Sequence, residues 1–357
     1  MKSIAIFVKK LASGGAEKQS VLLARALSSK YIVHYIIFNG NETEQKYMDM
    51  LRNNSHIHIK KFTGNIIYKF LKLIKYLKKN NIQAIFSYLT AANFYASLAG
   101  RFLKVQVYTG LRNAKLPLLK CWTDRILTNS FAEKAISNSF SGKENFVTKG
   151  FKSEKIIVIP NCFEHIKEYR QKGKRDKVHI ITVGRFVPQK DYETAIHAIA
   201  ELKKISDNIA FDIVGYGNLE AQIREWIKQY SIDDVTTVYI NPNNIAELLD
   251  QADIYISTSL FEGTSNSIME AMNADLPIVA TNVGDNGQLV QNEKNGFLSK
   301  EKDWKGISSL LARLVNDEEL RLNMGKQSKL FLFTNYSVEK FRELYFAVLS
   351  PLNKFRI

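Results

Sequence analysis

The sequence predicts an α/β protein built from two Rossmann-like, doubly wound parallel-sheet domains that face a central cleft. The chain has 357 residues, which exceeds the usual size of one domain. Short β-branched runs alternate with longer stretches of helical period, as in parallel sheets with crossover helices. This alternation pauses at a polar, charged interval, residues 164–177, and then starts again. Two successive domains of one class account for this pattern.

The strand candidates divide between the two halves. In the first half they are IAIFV, YIVHYIIF, IQAIFSY, VQVYT and KIIVIP, with helical patterns such as AEKQSVLLARALSS between several of them. In the second half they are VHIITVG, AFDIVG, TTVYI, DIYIS and LPIVATN. We place the first domain at residues 1–162 and the second at 163–335. An amphipathic helix at 336–357 follows, and its pattern alone leaves open which domain it packs on.

Composition narrows the class of protein. The chain is 45% hydrophobic and 24% charged, as expected of a soluble folded protein. The apolar run at residues 4–8 is too short for a signal-peptide core or a membrane span. Cys121 and Cys162 are too few for a disulfide framework and lack zinc-site spacing. These features favour the reducing cytoplasm.

Charge is distributed unevenly. Residues 1–160 contain 26 Lys+Arg against 8 Asp+Glu, and residues 161–357 contain 24 against 27, which gives balances of +18 and −3. A basic first half could meet nucleic acid, an anionic membrane or a phosphorylated substrate, and charge alone does not choose among them.

Two strand-to-helix turns could hold phosphate. In LASGGAEKQS, Gly14 and Gly15 allow backbone amides to approach an anion at a helix N-terminus, although a plain tight turn fits equally well. In VGRFVPQKDYETAI, Arg185 and Lys190 suit a diphosphate whose departure must be stabilised, and an ordinary surface loop is the alternative. Gly215 in VGYGNLE marks a third turn, which is weak as a dinucleotide motif.

The sequence contains no Asp-x-Asp motif and no His/Cys/Glu cluster with metal-ligand spacing. If a nucleotide diphosphate is bound here, basic side chains and helix ends have to do what a divalent metal does elsewhere. We therefore expect neither a metal nor a cofactor.

The stretch FEGTSNSIMEAM places two carboxylates eight residues apart. Gly263 permits a turn, the helix should begin between Thr264 and Ser267, and Glu262 then precedes it while Glu270 lies about a turn inside. The first carboxylate, the helix N-terminus and the second carboxylate could hold a sugar, a phosphate and a ribose in sequence. Alternatives are a capping box formed by Ser267 and Glu270, a solvated loop acid at Glu262, or a glycoside-hydrolase pair.

Taken together, these motifs resemble those of the retaining GT-B glycosyltransferases of family four, which build bacterial surface glycans. The matching stretches occur in the expected order along essentially the whole chain: SGGAEK, GRFVPQKD, VGYGNLE, FEGTSNSIMEAM with its E-x7-E pattern, LPIVATNVGDNGQLV and NGFL. The resemblance implies a GT-B fold, with the acceptor held mainly by the first domain, the nucleotide sugar by the second, and the last helix crossing back to the first domain.

The resemblance also implies roles for individual residues. Arg185 and Lys190 would bind the donor diphosphate, Glu270 the ribose, and Glu262 the donor sugar; Arg185, Lys190 and Glu262 are the residues assigned to catalysis. The implied donor site consists of Gly15, Gly184, Arg185, Lys190, Gly215, Glu262, Gly263, Thr264, Ser265, Asn266 and Glu270. Gly14 and Arg112 are offered as acceptor contacts. Many relatives carry a histidine or glutamate after the strand VQVYTG, where this sequence has Gly110 and Leu111, so that role stays unassigned.

The expected function is transfer of a hexose or N-acetylhexosamine from a nucleotide sugar, most simply UDP-linked, to a lipid-linked saccharide on the inner face of the cell membrane. The helical segment at residues 66–80 carries Ile66, Ile67, Phe70, Leu71, Ile74 and Leu77 on one face with lysines elsewhere, so it either rests on anionic lipid or packs on the sheet. The rival within the fold is a nucleotide-sugar epimerase or phosphorylase. The sequence lacks the glycine fingerprint of a nicotinamide oxidoreductase. A nucleic-acid-binding protein would account for the basic first half but not for the pair of glutamates.

Overall fold

Two parallel β-sheets organise the chain in a computed structural model that describes residues 1–12, 14–112, 117–173 and 175–354. The chain divides into two compact units: Met1–Glu164 with Val338–Ile357, and His165–Ser337. The sequence placed the boundaries at 162/163 and 335/336, within two residues of these positions. The two-domain α/β architecture predicted from the sequence is confirmed.

The N-terminal unit is built on seven parallel strands in the order β3-β2-β1-β4-β5-β6-β7. The strands are β1 Lys2–Val8, β2 Tyr31–Ile37, β3 Ile57–Lys61, β4 Ile82–Tyr88, β5 Gln106–Leu111, β6 Lys134–Ser137 and β7 Ile156–Val158. The helices are α1 Gly15–Leu27, α2 Gln45–Arg52, α3 Ile66–Lys79, α4 Thr90–Leu103, α5 Leu118–Ile126 and α6 Phe140–Thr148. A five-residue π-helix, Leu127–Phe131, continues α5.

The C-terminal unit is built on six parallel strands in the order β10-β9-β8-β11-β12-β13. The strands are β8 Val178–Arg185, β9 Ile209–Tyr216, β10 Thr236–Ile240, β11 Ile254–Ser257, β12 Ile278–Thr281 and β13 Gly296–Ser299. The helices are α7 Tyr192–Lys203, α8 Glu220–Gln229, α9 Ile245–Gln251, α10 Asn266–Asn273, α11 Asn286–Leu289, α12 Trp304–Asn316 and α13 Glu318–Tyr336.

The last helix, α14 Val338–Lys354, belongs to the N-terminal unit. It packs on α1, and its Phe341, Tyr345 and Leu349 are buried in the same core as β1 and β2. Positions 355–357 of the helix predicted from the sequence lie outside the described residues.

The polar interval that separates the two strand series packs on the C-terminal unit. Asn273 at the end of α10 accepts from the backbone N–H of Lys167 at 2.8 Å and donates to the carbonyl of His165 at 3.1 Å. The Lys172 ammonium donates to the carbonyls of Leu249 and Ala252 at the end of α9. Lys172, one of the charged residues of this interval, thus binds the C-terminus of α9, where a cation is stabilising.

The apolar face predicted for helix α3 is partly buried and partly exposed. Leu77 is buried, and Phe70 and Ile74 pack against the same core, but Ile66, Ile67 and Leu71 remain exposed. Part of the predicted apolar face therefore packs on the sheet, and lipid contact by the exposed part stays a prediction. In the described part of the chain, every helix is too short or too polar to cross a membrane.

Candidate active site

The candidate site lies where strand order reverses in the C-terminal sheet. β8 and β11 are neighbours there, and the chain leaves them toward opposite sides, which is where doubly wound sheets bind ligands. A cavity of about 370 Å³ lies beyond the carboxyl ends of these strands. This volume falls in the range of small-molecule sites.

The floor of the cavity is bare backbone. Gly184 of β8 and Gly215 of β9 pair in register, and both line the cavity. A Cβ at Gly215 would lie 1.8 Å from the carbonyl oxygen of Gly184, so any side chain there would force the two strands apart. The glycine is thus required by close approach of the two strands, and it leaves backbone atoms open to a ligand.

Lys190 is positioned by contacts between two loops. It ends a short 3₁₀ turn after β8, and the Thr258 hydroxyl, in the loop after β11, donates to its carbonyl at 3.1 Å. Gln189 donates to the carbonyl of Phe261 at 2.7 Å. These bonds hold the two loops side by side, so residues far apart in sequence line one cavity.

The Lys190 ammonium forms an ion pair with Glu262. Lys190 Nζ lies 2.6 Å from Glu262 Oε1, and the Ser259 hydroxyl donates to the same oxygen at 2.9 Å. The two charged side chains are only 18% and 10% exposed. Gly284, with φ +54°, lets the chain pass close to the carbonyl of Glu262, since a Cβ at Gly284 would lie 2.0 Å from that oxygen. The sequence assigned this lysine and this carboxylate to different parts of a donor and did not predict that they bind each other.

Helix α10 starts at the mouth of the cavity. Its cap position is Ser265, Ser267 already lies inside the helix, and Glu270 lies about one turn from the start. A capping box with Ser267 as its first member is therefore not formed. Thr264, Ser265, Asn266, Ser267 and Glu270 all line the cavity, so the first-turn amides of α10 and the Glu270 side chain face one space.

The sequence missed part of the cavity wall. Tyr216, Asn241, Pro242 and Ile245 line it together with Val183, Gln189 and Ser267. Tyr216 lies within the VGYG motif, from which only the glycine at position 215 was predicted to bind the donor. Asn241 and Pro242 directly follow β10, and the rule that loops at carboxyl strand ends bind ligands would have identified them.

Three residues assigned from the sequence lie in the N-terminal unit and do not line this cavity. Gly14 is the extended residue before α1, and Gly15 is its first helical residue. A Cβ at Gly15 would meet nothing within 4 Å, so packing does not require the glycine. Ser13 of the same motif lies outside the described residues. The proximity of Gly15 to a donor diphosphate stays a prediction.

Arg112, offered as an acceptor contact, binds other parts of the N-terminal unit. Its guanidinium donates to Asn161 Oδ1 at 3.1 Å and to Tyr345 Oη at 3.2 Å, and it lies 4.6 Å from the centre of the Tyr88 ring. Burial by itself would lower the pKa of Arg112, but the two tyrosines more than offset it, so the pKa is raised. In the structure, therefore, Arg112 attaches α14 to the end of β5.

Among the described residues, no group of three or more His, Cys, Asp or Glu side chains is arranged to hold a metal ion. The cavity instead contains two cations, Arg185 and Lys190, and two carboxylates, Glu262 and Glu270. Within the described ranges, Arg185 forms no ion pair and is exposed to the cavity. An anion entering the cavity would meet that guanidinium without displacing a partner.

Comparisons with known proteins agree with this geometry. Residues 165–331 match the family model "Glycosyl transferases group 1". An uncharacterized glycosyltransferase of Haemophilus influenzae is 26% identical, over 98% of this chain and 100% of its own length. An N-acetylgalactosamine-N,N'-diacetylbacillosaminyl-diphospho-undecaprenol 4-alpha-N-acetylgalactosaminyltransferase of Campylobacter jejuni is 25% identical, over 90% and 92%.

Solved structures share the fold. Anabaena Alr3699/HepE in complex with UDP superposes with a TM-score of 0.78 at 17% identity, covering 98% of this chain and all of that one. At this identity the likeness speaks for the architecture alone. Residues 165–331 therefore form a glycosyl transferases group 1 domain, and the chain as a whole has the GT-B fold of two doubly wound sheets.

Proposed function

We propose that the chain is a retaining hexosyltransferase that moves a hexose or N-acetylhexosamine from a UDP-sugar to a lipid-linked or growing bacterial surface saccharide. The observation that carries the proposal is that Arg185, Lys190, Glu262 and Glu270 line the same cavity as the first turn of α10. The proposal is supported by the Campylobacter jejuni relative, whose name specifies a diphospho-undecaprenol acceptor, and by the UDP in the Anabaena structure.

In this proposal the cavity stabilises the leaving group. As the anomeric bond breaks, negative charge grows on the diphosphate; Arg185 meets it directly, and Lys190 meets it by exchanging its bond to Glu262 for one to a phosphate oxygen. The first-turn amides of α10 add a positive dipole end. With two cations and a helix N-terminus in place, the reaction needs neither a metal ion nor a cofactor.

The carboxylates bind hydroxyl groups. Glu270 would accept from the ribose and Glu262 from the donor sugar, since ionised carboxylates are strong acceptors for hydroxyl donors. Following the resemblance, the acceptor attacks on the face that the nucleotide leaves, and a diphosphate oxygen takes its proton. Glu262 and Glu270 then serve as binding groups and need not act as bases.

The acceptor places the reaction at a membrane. A lipid-linked saccharide is anchored in the bilayer, and the nucleotide sugar is dissolved in the cytoplasm, so we place the enzyme peripherally on the inner face of the cell membrane. The basic balance of residues 1–160 favours an anionic surface as its partner.

The test is transfer of radiolabelled sugar from a panel of UDP-, GDP- and ADP-sugars to an undecaprenyl-diphosphate-linked saccharide, with and without EDTA. We expect EDTA-insensitive transfer from a UDP-sugar, with the donor's anomeric configuration retained in the NMR spectrum of the product. Arg185→Ala and Glu270→Ala should each slow transfer about 10²- to 10³-fold.

Arg224→Ala is the matched control, because Arg224 pairs with Glu220 on α8 and does not line the cavity. Near-native transfer by Arg185→Ala would contradict the donor-site assignment. Conversion of a UDP-sugar to an isomer in the absence of any acceptor would show that the protein is an epimerase and would refute the proposal.

A further inference from the structure

One continuous stretch of the N-terminal unit carries positive charge alone. Residues 50–123 contain 13 Lys+Arg and no Asp or Glu. The stretch covers β3, α3, β4, α4, β5 and the start of α5. The next acid along the chain, Asp124, is buried and accepts from Thr90 Oγ1 at 2.6 Å and Asn93 Nδ2 at 3.0 Å. The surface formed by this stretch therefore carries no carboxylate of its own.

The same stretch exposes large apolar side chains. Single exposed apolar residues are normal, but a cluster marks an interaction surface. Apart from Phe102 at the end of α4, which is 70% exposed, the most exposed members are Leu118 at 90%, Leu119 at 75%, Ile67 at 72% and Leu71 at 60%, and Trp122 is also exposed. They lie in the first one or two turns of α3 and α5, close to exposed lysines at positions 72, 75 and 120.

These side chains lie toward one edge of the sheet. α3, α4 and α5 each follow a strand of one parallel sheet, so all three helices begin at its carboxyl edge. Phe70 of α3 contacts Phe102 of α4, with ring centres 6.5 Å apart, and Thr90 of α4 binds Asp124 of α5. Helix α4 therefore contacts both α3 and α5, and all three helices start at the edge where such sheets bind ligands.

We infer that Ile67, Leu71, Leu118, Leu119 and Trp122, with the lysines around them, form a lipid face that binds an anionic bilayer. The inference rests on the proposed function in one respect: a lipid-linked acceptor has to reach the carboxyl edge of this sheet from the membrane. The leucines and the tryptophan would enter the headgroup region while the lysines meet lipid phosphates. Nucleic acid would use the lysines but gives no reason for two leucines to be exposed.

The lipid face differs from the basic helix predicted from the sequence. Leu73 and Leu77 of α3 are each 1% exposed and pack in the core, so α3 cannot lie on a membrane with its whole apolar side. It contributes its first turns, and α5 contributes the most exposed residues. The membrane contact is thus shared by two helices that are far apart in sequence.

The experiment is flotation of the full chain with vesicles of phosphatidylcholine, with and without phosphatidylglycerol, in the absence of nucleotide sugar. We expect binding to the anionic vesicles and a blue shift of tryptophan emission that is lost in Trp122→Phe. Leu118→Ser with Leu119→Ser should weaken partitioning at least about ten-fold. Lys72→Gln should weaken it about five-fold.

Leu330→Ser with Phe333→Ser is the matched control, since both are exposed apolar residues, at 55% and 56%, on α13 of the other unit. This pair should leave flotation unchanged, and thermal unfolding of every variant should match the wild type. Failure to bind anionic vesicles, equal loss with the control pair, or salt-sensitive DNA binding untouched by the leucine changes would each overturn the inference.

The two proposals can fail separately. Vesicle binding with no sugar transfer would leave the lipid face intact and refute the transferase. Sugar transfer to a soluble acceptor analogue without vesicle binding would support the transferase and refute the lipid face.

Discussion

Replacing Glu262 by Gln should make the cavity bind UDP more tightly. In the structure, Lys190 Nζ is already bonded to Glu262 Oε1 at 2.6 Å, and both side chains are largely shielded from water. A diphosphate that takes Lys190 has to compete with this carboxylate. Glutamine keeps the size and polarity of the side chain but removes its charge, so the lysine becomes available to the phosphate.

The magnitude follows from the bond that is given up. A hydrogen bond to a charged group contributes about 1.5–3 kcal/mol net, and the glutamine oxygen still accepts a weaker bond. We therefore take the lower end, about 1.5 kcal/mol, which corresponds to roughly ten-fold tighter binding. Sugar transfer should move the other way and fall about ten-fold, because a neutral amide is the weaker acceptor for a sugar hydroxyl.

Isothermal titration calorimetry with UDP gives the affinity directly, and initial rates with the UDP-sugar give the transfer. Glu293→Gln is the matched control: Glu293 binds Arg313 through two bonds of 3.0 and 3.1 Å and does not line the cavity. Its UDP affinity should equal that of the wild type. UDP binding that is unchanged or weaker in Glu262→Gln, with unaltered thermal unfolding, would refute the competition between carboxylate and diphosphate.

Three further outcomes are expected. Gly15→Ala should be at least as stable to unfolding as the wild type, because its Cβ meets nothing within 4 Å. Transfer should nevertheless fall about ten-fold if a diphosphate approaches this turn, and unchanged rates would remove Gly15 from the donor site. Gly215→Ala should destabilise the C-terminal unit by about 1–3 kcal/mol, measured by urea unfolding, because its Cβ would overlap the carbonyl of Gly184. Burial, and then His58, lower the pKa of His34 from 6.5 to about 4, so the unfolded chain binds the extra proton first and stability is lost as pH falls from about 6.5 toward 4. Between pH 7 and pH 5 this costs about 2 kcal/mol, and His34→Gln should show a correspondingly flatter dependence in urea titrations.

The sequence predicted the strands that contain a run of apolar or β-branched residues and missed β3, β6 and β13. Runs such as Ile4 to Val8 are apolar throughout because helices cover both sides of the sheet. β3 Ile57–Lys61 is an edge strand with histidine and lysines, so it lacks that signature. β6 Lys134–Ser137 and β13 Gly296–Ser299 have only four residues each, and they contain fewer β-branched residues than β11 and β12, which are equally short.

For the site, motif order predicted the four charged residues of the cavity but not its whole wall, and it included Gly263, which does not line the cavity. It also did not predict how the residues contact each other. Arg185, Lys190, Glu262 and Glu270 were all assigned to the donor and all line one space. The bond between Lys190 and Glu262 was not foreseeable, because it depends on two loops 72 residues apart being held together by Thr258 and Gln189. Spacing along the chain carries no information about such a contact.

The bare floor of the cavity restricts how donor preference can be redesigned. Gly184 and Gly215 meet so closely that no side chain can be introduced at Gly215 without parting the strands. The floor of the cavity therefore cannot be changed by substitution at Gly215, and selectivity for another base or sugar has to be engineered in the residues of the cavity walls. Tyr216 and Asn241 are the positions where a mutant library should begin, since both line the cavity and neither is part of its charged set.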